Sequence, residues 1–369
     1  MTFMPRSNFE YAHKHRDEIV WMSQNTNTIP TSPEIEEAII ESAKSREYNL
    51  YPYAPGVFGL QEAIYQDLGI SPEEFDCLIT PGGIEALYIL NRALLSRGNN
   101  VIASDPSFMP IHHQIRLSRA EALELPVYQE PWKLTIGQVS EAINEKTKMF
   151  LLIDPLNPLG TPYTKDEVKA FCDIARDNDL WMIDDITYRD FADEHTLTTD
   201  FYPEKTIITY SFSKNCGFAG MRIGALIAPK EVMNELRPFN TNVLSVNIMA
   251  QRAALAALET KEQWMGRVVS ISRKNQEHIR NCVDAVEGAF LPVYPSHTNM
   301  FVIDISQTGI DPDEVEKKML FDHDVFFRGG NYLSKRFGPR FVRTSFSIPE
   351  EQCLRFCGAF PNVIDELRG

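Results

Sequence analysis

The run TIITYSFSKNCGFAGMRIGALIA, residues 206–228, is the stretch on which the fold turns. It opens on one apolar run, TIITY (206–210), and closes on another, RIGALIA (222–228). Val/Ile/Leu-type runs bounded by Ser and Gly read as strands buried on both faces. Between them stand Ser211, Ser213, Lys214, Gly217, Gly220 and Arg222. Two hydroxyls, an amine and a guanidinium fall within twelve residues, beside glycines that permit close approach. That set suits a phosphate next to a reactive lysine. It is not a Walker A loop, because no Gly-x-x-x-x-Gly-Lys run precedes the lysine.

Working outward, similar runs recur at CLIT (77–80), NVIAS (100–104), ALELPV (122–127), KMFLLID (148–154) and LWMID (180–184). Helical patterns such as IEALYILNRALLSRG (84–98) and TKDEVKAFCDIARDND (164–179) separate them. Thr164, three residues before Glu167, forms a capping box. Strand–helix alternation predicts an α/β fold, a mostly parallel seven-stranded sheet with helices on both faces. Residues 245–285 read as long helix. TNMFVIDI (298–305), RFVRTSFS (340–347) and a closing helix from Pro349 follow in an α+β pattern. The expected division is a segment 1–45 packing on the smaller domain, a large domain 46–250 and a small C-terminal domain 251–369.

Open α/β sheets bind ligands at the carboxyl ends of their strands. Pro81-Gly82-Gly83-Ile84 follows the first run, and a glycine pair opening a helix offers free N–H groups to an anion. Phe108 follows the second and can stack on a flat ring. Asn157, in the turn Asn157-Pro158-Leu159-Gly160, can donate its amide to a ligand oxygen. Asp185 ends a buried strand, where a carboxylate is costly without a cationic partner. Tyr188 lies three residues on. His112 and His113, a turn beyond Phe108, read as helix-surface histidines, with a role in positioning Asp185 as the alternative.

The formal net charge of −15 argues against nucleic-acid binding through phosphate neutralisation. The six scattered cysteines show no zinc-type pairing, so no metal is expected, and Cys353 and Cys357 read as core residues. Reduced thiols point to the cytoplasm. The start MTFMPRSNFEYAHKHRDE has no apolar segment of a secretory signal, and no run of about 18 apolar residues predicts a membrane span.

SFSKNCGFAGMRIG resembles the cofactor-lysine signature of the pyridoxal 5′-phosphate (PLP)-dependent class I/II aminotransferases, of fold type I, in which an Arg stands eight positions after the Lys. Lys214 and Arg222 have that spacing. Asn157-Pro-Leu-Gly, Asp185 to Tyr188, YPYAPGVFGLQEAI (51–64) and Arg343 before a short apolar strand resemble further elements of that family, in family order. The resemblance implies a homodimer with shared active sites that moves an amino group between an amino acid and a 2-oxo acid in amino-acid metabolism.

Residue by residue, it implies that Lys214 carries the cofactor as a Schiff base and moves the α-proton. Asp185, rather than its neighbour Asp184, sits against the pyridine nitrogen. Tyr188 and Asn157 bond the phenolic oxygen, and Phe108 stacks on the ring. Ser211, Ser213, Arg222 and the N–H groups of Gly83 and Ile84 hold the phosphate. Ile84 stands where relatives often have Ser or Thr, which removes one hydroxyl. Tyr51 reaches the phosphate of the other subunit. Arg343 clamps the substrate carboxylate, with Asn157 and Asn25 nearby. Asn25 replaces a Gly of many relatives and tolerates the same left-handed backbone. Gln24–Thr28 and Arg328–Asn331 flank the expected site without an assigned role. Another PLP reaction on this fold (decarboxylase, lyase or cyclase) is the enzyme alternative. A non-catalytic PLP-binding sensor module is the other, against which the acidic charge and the lack of room for a DNA-binding domain both argue.

Overall fold

The computed structural model describes residues 7–369. Its centre is a seven-stranded sheet. In spatial order the strands are Phe75–Thr80, Gly224–Pro229, Thr206–Ser211, Trp181–Asp185, Thr147–Ile153, Asn100–Asp105 and Glu121–Pro126. Gly224–Pro229 runs antiparallel to both its neighbours, and the other adjacent pairs are parallel. The exception follows from chain length. Parallel neighbours need a crossover helix, whereas Thr206–Ser211 and Gly224–Pro229 are joined by the loop 212–223 alone. The Lys214 loop is therefore a hairpin connection folded over the sheet's end.

Six of the seven central strands are buried along most of their length, as their apolar runs require. Glu121–Pro126 departs from the expectation of strands covered on both faces. It is an edge strand, exposed or half-buried throughout, and its glutamates blunt that edge. The capping box at Thr164 and Glu167 starts helix Lys165–Asp177, whose Val168, Phe171, Cys172 and Ala175 pack into the core. The long helical stretch is two helices, Ile248–Glu259 and Lys261–Asp284, divided at Thr260. Helix Glu350–Arg368 closes the chain.

A second, three-stranded antiparallel sheet has the order Arg328–Gly329, Phe341–Ser345, Met300–Asp304. Near the N-terminus Val20–Trp21 pairs in parallel with Val325–Phe326, while helix Pro33–Lys44 packs on Ile248–Glu259. Residues 20–29 thereby pass between the two sheets, within reach of both Lys214 and Arg343. Cys353 is buried and Cys357 partly so, as core residues would be. Among the described residues no helix is long and apolar enough to cross a membrane, and no cluster of His, Cys, Asp and Glu is placed to hold a metal.

Candidate active site

The polar residues singled out after the strands converge on one cavity. Gly83, Ile84, Phe108, Asn157, Asp185, Tyr188, Ser211, Ser213, Lys214 and Arg222 all line it. They come from five strand ends on one side of the sheet, which the parallel topology brings together.

At one end the cavity is an anion cradle. Helix Gly83–Leu94 starts there with no side-chain cap, so its first N–H groups stay free. Gly82 has φ +88°, and a Cβ on it would lie 2.5 Å from an Arg222 nitrogen. Only glycine fits both demands. A Cβ on Gly224 would meet the Tyr210 carbonyl at 2.5 Å and the Gly83 nitrogen at 2.6 Å. Arg222, itself at φ 56°, is held by the carbonyls of Ala219 at 2.9 Å and Pro81 at 3.0 Å. The Ser213 N–H donates to Ser211 Oγ at 3.2 Å.

At the other end stand the titratable groups. Asp185 is buried, and burial pushes its carboxyl up. The Thr187 hydroxyl at 2.6 Å and N–H at 3.2 Å oppose that by donating to Oδ1. Its neighbour Asp184 points away and accepts from Thr198 at 2.8 and 2.9 Å, as strand alternation requires. Lys214 Nζ donates to the Gln24 carbonyl at 2.7 Å. Burial, then the charges of Arg343 and Arg222, pull its amine down to about 7, with Asp185 opposing. Tyr188 is buried, which pushes its phenol up, and its hydroxyl accepts from Asn25 Nδ2 at 3.2 Å. Asn157 is 3% exposed, with Oδ1 lacking a protein partner.

Arg343 is 6% exposed. It donates to the Ser23 carbonyl at 2.8 Å, its Nε has no partner, and no ion pair among the described residues engages it. A buried guanidinium in that state is a site for an anion. Its cross-strand partner is Arg328, and both stand over the ring of Tyr332, at 5.4 and 4.0 Å.

Of the remaining residues singled out in the sequence, only His112 lies elsewhere than expected. Tyr51 is 84% exposed and outside the cavity of its own chain. His112 is not a surface histidine: it is fully buried, with Nδ1 2.8 Å from Glu124. His113 is exposed. Asn25 adopts φ 56°, the left-handed turn. Thr187 and the carbonyls of Ser23 and Gln24 went unnoticed in the sequence. Thr187 had a signal, a hydroxyl two residues after an Asp, which is a common local bonding pattern. The two carbonyls had none.

Comparison with known proteins agrees with this geometry. The family model described as aminotransferase class I and II matches residues 17–360. An aspartate aminotransferase of Pyrococcus horikoshii is 28% identical over 95% of this chain and 91% of its own. A histidinol-phosphate aminotransferase of Brevibacillus brevis is 31% identical over 90% of this chain and 87% of its own. Among solved structures, Thermus thermophilus aspartate aminotransferase with maleate superimposes with a TM-score of 0.83 at 23% identity, covering 96% of this chain and 95% of that one. The fold and cavity define a fold type I, PLP-dependent transferase. The chain belongs to the aminotransferase class I and II family, and it is an enzyme that transfers amino groups with pyridoxal 5′-phosphate as cofactor. The uncapped helix start, the glycine crevice at Arg222 and the unpartnered Asn157 fit a phosphate-bearing ring.

Proposed function

We propose that Lys214 is the covalent anchor of the cofactor and the group that moves the substrate's α-proton. The observation that carries this is an amine lining the cavity beside Asp185, with burial and the charges of Arg343 and Arg222 drawing it down to about 7. A base at neutral pH needs that poise. When bound, PLP supplies the electron sink for the bond that breaks at the α-carbon. Asp185, whose anion Thr187 favours against the push of burial, would hold a proton on the ring nitrogen. Tyr188 and Asn157, which line the cavity, would bond the phenolic oxygen, and Phe108 would offer its ring to the cofactor. The N–H groups of Gly83 and Ile84, with Ser211, Ser213 and Arg222, bind the phosphate. Arg343 orients the substrate through its carboxylate, and Asn25 shapes the pocket beside Tyr188.

The reading extends to the substrate. Arg328, on the same face as Arg343, favours an amino donor carrying a second acid group. The relatives' names, aspartate and histidinol-phosphate aminotransferase, both denote amines that bear an acid group. The exposed apolar groups Leu50, Tyr51, Phe58 and Val243 support a homodimer in which Tyr51 reaches the partner's phosphate site. Six free cysteines support a cytoplasmic setting. A separate apolar cluster built mostly from residues 279–364 supports a small C-terminal domain.

Borohydride reduction of the PLP-loaded protein, then peptide mass mapping, tests the anchor. A pyridoxyl adduct on the Lys214 peptide is expected, and its absence ends the reading. Single amino acids then separate the chemistries. A spectral change reversed by a 2-oxo acid marks amino transfer. Release of CO2 or ammonia without it marks a decarboxylase or lyase.

A further inference from the structure

Four charged side chains outside the cavity form one half-buried group. Lys261 Nζ bridges Asp67 Oδ1 at 2.6 Å and Asp190 Oδ1 at 2.7 Å. Asp67 Oδ2 accepts from the Tyr210 hydroxyl at 2.6 Å and pairs with Arg189, which also donates to the Asp67 carbonyl at 3.1 Å. The four side chains are between 11% and 18% exposed. Two carboxylates and two cations leave the group neutral. A buried polar group with each member satisfied is rigid and fixes one arrangement. None of the four lines the cavity.

Their positions in the chain connect them to it. Arg189 and Asp190 directly follow Tyr188, in the turn Arg189–Phe191. Asp190 Oδ2 accepts from the side-chain amide of Asn215, which directly follows Lys214. Asn27 secures the same loop: its N–H donates to the Lys214 carbonyl at 3.2 Å and its Nδ2 to the Asn215 carbonyl at 2.9 Å. The turn of Tyr188 and the loop of Lys214 thus meet at one carboxylate. Lys261 fixes that carboxylate to Asp67 on helix Leu60–Leu68. Lys261 also opens helix Lys261–Asp284, whose Asn275 donates to the carbonyls of Phe346 at 2.9 Å and Ile348 at 2.8 Å, just beyond the Arg343 strand.

We propose that the Asp67–Lys261–Asp190 bridge is a positioning device that sets Tyr188 against Lys214 and ties both to the helix supporting the Arg343 strand. The proposal rests on the roles given above to those three residues. Removing the Lys261 amine leaves Asp67 and Asp190 sharing only Arg189, which stands 3.7 Å from Asp190. The repulsion between the two carboxylates then rises, and the hold of Asp190 on Asn215 loosens.

The test compares Lys261→Met with Lys261→Arg. Two readouts serve: kcat and KM of the PLP-loaded enzyme, and the rate at which trinitrobenzenesulfonate labels Lys214 in cofactor-free protein at fixed pH. Lys261→Met should lower kcat on the order of ten- to a hundredfold, as a small misplacement of reacting groups does. KM should stay nearly unchanged, and the Lys214 labelling rate should rise severalfold. Lys261→Arg should recover most of both. A melting point lowered by Lys261→Met, with kcat and labelling as in the wild type, overturns the proposal. Should that variant not fold, Asp190→Asn keeps the size but sets an amide NH2, a donor, against either Lys261 or Asn215. Wild-type kcat and labelling in Asp190→Asn overturn it equally. If borohydride finds no adduct at Lys214, the anchor reading falls, while the labelling rates still report whether the bridge holds the loop.

Discussion

Arg328 and Arg343 face each other directly across the antiparallel pairing of the small sheet, with their side chains on one face. Like charges in that position repel. Glu316, 3.4 Å from Arg328 Nε, offsets one of them. Glu316 Oε1 and Oε2 are otherwise engaged by Asn8 at 2.8 Å and the Gly329 N–H at 2.7 Å. Glu316 meets only the Nε of Arg328, so the terminal nitrogens of that guanidinium are left for a second acid group on the substrate. Arg328→Gln should therefore raise KM for amino donors with a second acid group by about tenfold, while apolar donors change little. Equal effects on both donor classes would remove Arg328 from recognition. The check is KM across a series of donors.

Arg343→Ala should act more broadly. A buried hydrogen bond to a charged group contributes about 1.5–3 kcal/mol, so KM for every carboxylate donor should rise roughly ten- to a hundredfold. Arg343→Lys should recover only part of this, because one ammonium cannot replace a planar fork. An unchanged KM would place the carboxylate site elsewhere.

Asp185→Ala should still bind the cofactor, since the phosphate cradle is untouched, yet lose on the order of 10²–10⁴ in kcat. Thr187→Val should show a smaller loss in the same direction. It removes the 2.6 Å bond that opposes the cost of burying the Asp185 charge. Near-normal turnover in Asp185→Ala would contradict the electron-sink assignment.

Gly82→Ala should weaken cofactor binding. Its φ of +88° costs an L-residue about 1–2 kcal/mol, and its Cβ would displace Arg222. Titration with PLP should show a Kd raised about tenfold. Gly137→Ala, where a Cβ meets nothing, is the control and should leave Kd alone.

Lys214 also carries a stability signature in the cofactor-free protein. Its amine falls from 10.5 to about 7 on folding, so between those values the unfolded chain binds more protons and stability rises with pH. Lys214→Met removes the buried charge. Its melting point should exceed the wild type's most at pH 6 and below, with the gain shrinking between pH 7 and 10.5. A gain independent of pH would show that the pKa of the amine does not change on folding. Thermal melts across that pH range provide the check.

How much of this could be read from the chain differs by residue. The strands were legible because a buried strand has to be apolar where it is covered, as MFLLI is at 149–153. Glu121–Pro126 was misjudged because an edge strand can carry Val/Leu-type residues and still face solvent. His112 was misjudged because a single histidine on a helix does not reveal which way that helix faces. The division between helices at Thr260 was invisible, since both segments share one periodicity.

By itself the sequence determined which groups stand at the strand ends, because a ligand at the end of a sheet needs certain side chains at certain local spacings: Lys214 to Arg222, Asp185 to Tyr188, Gly82 beside Gly83. Only the tertiary structure decided what surrounds them. The lowered amine of Lys214 depends on Arg343, far along the chain, the fixed carboxylate on Thr187, and the paired arginines on strand register. Burial and charge–charge distances belong to space, and contacts between residues such as Lys261 and Asp67 leave no local pattern to read.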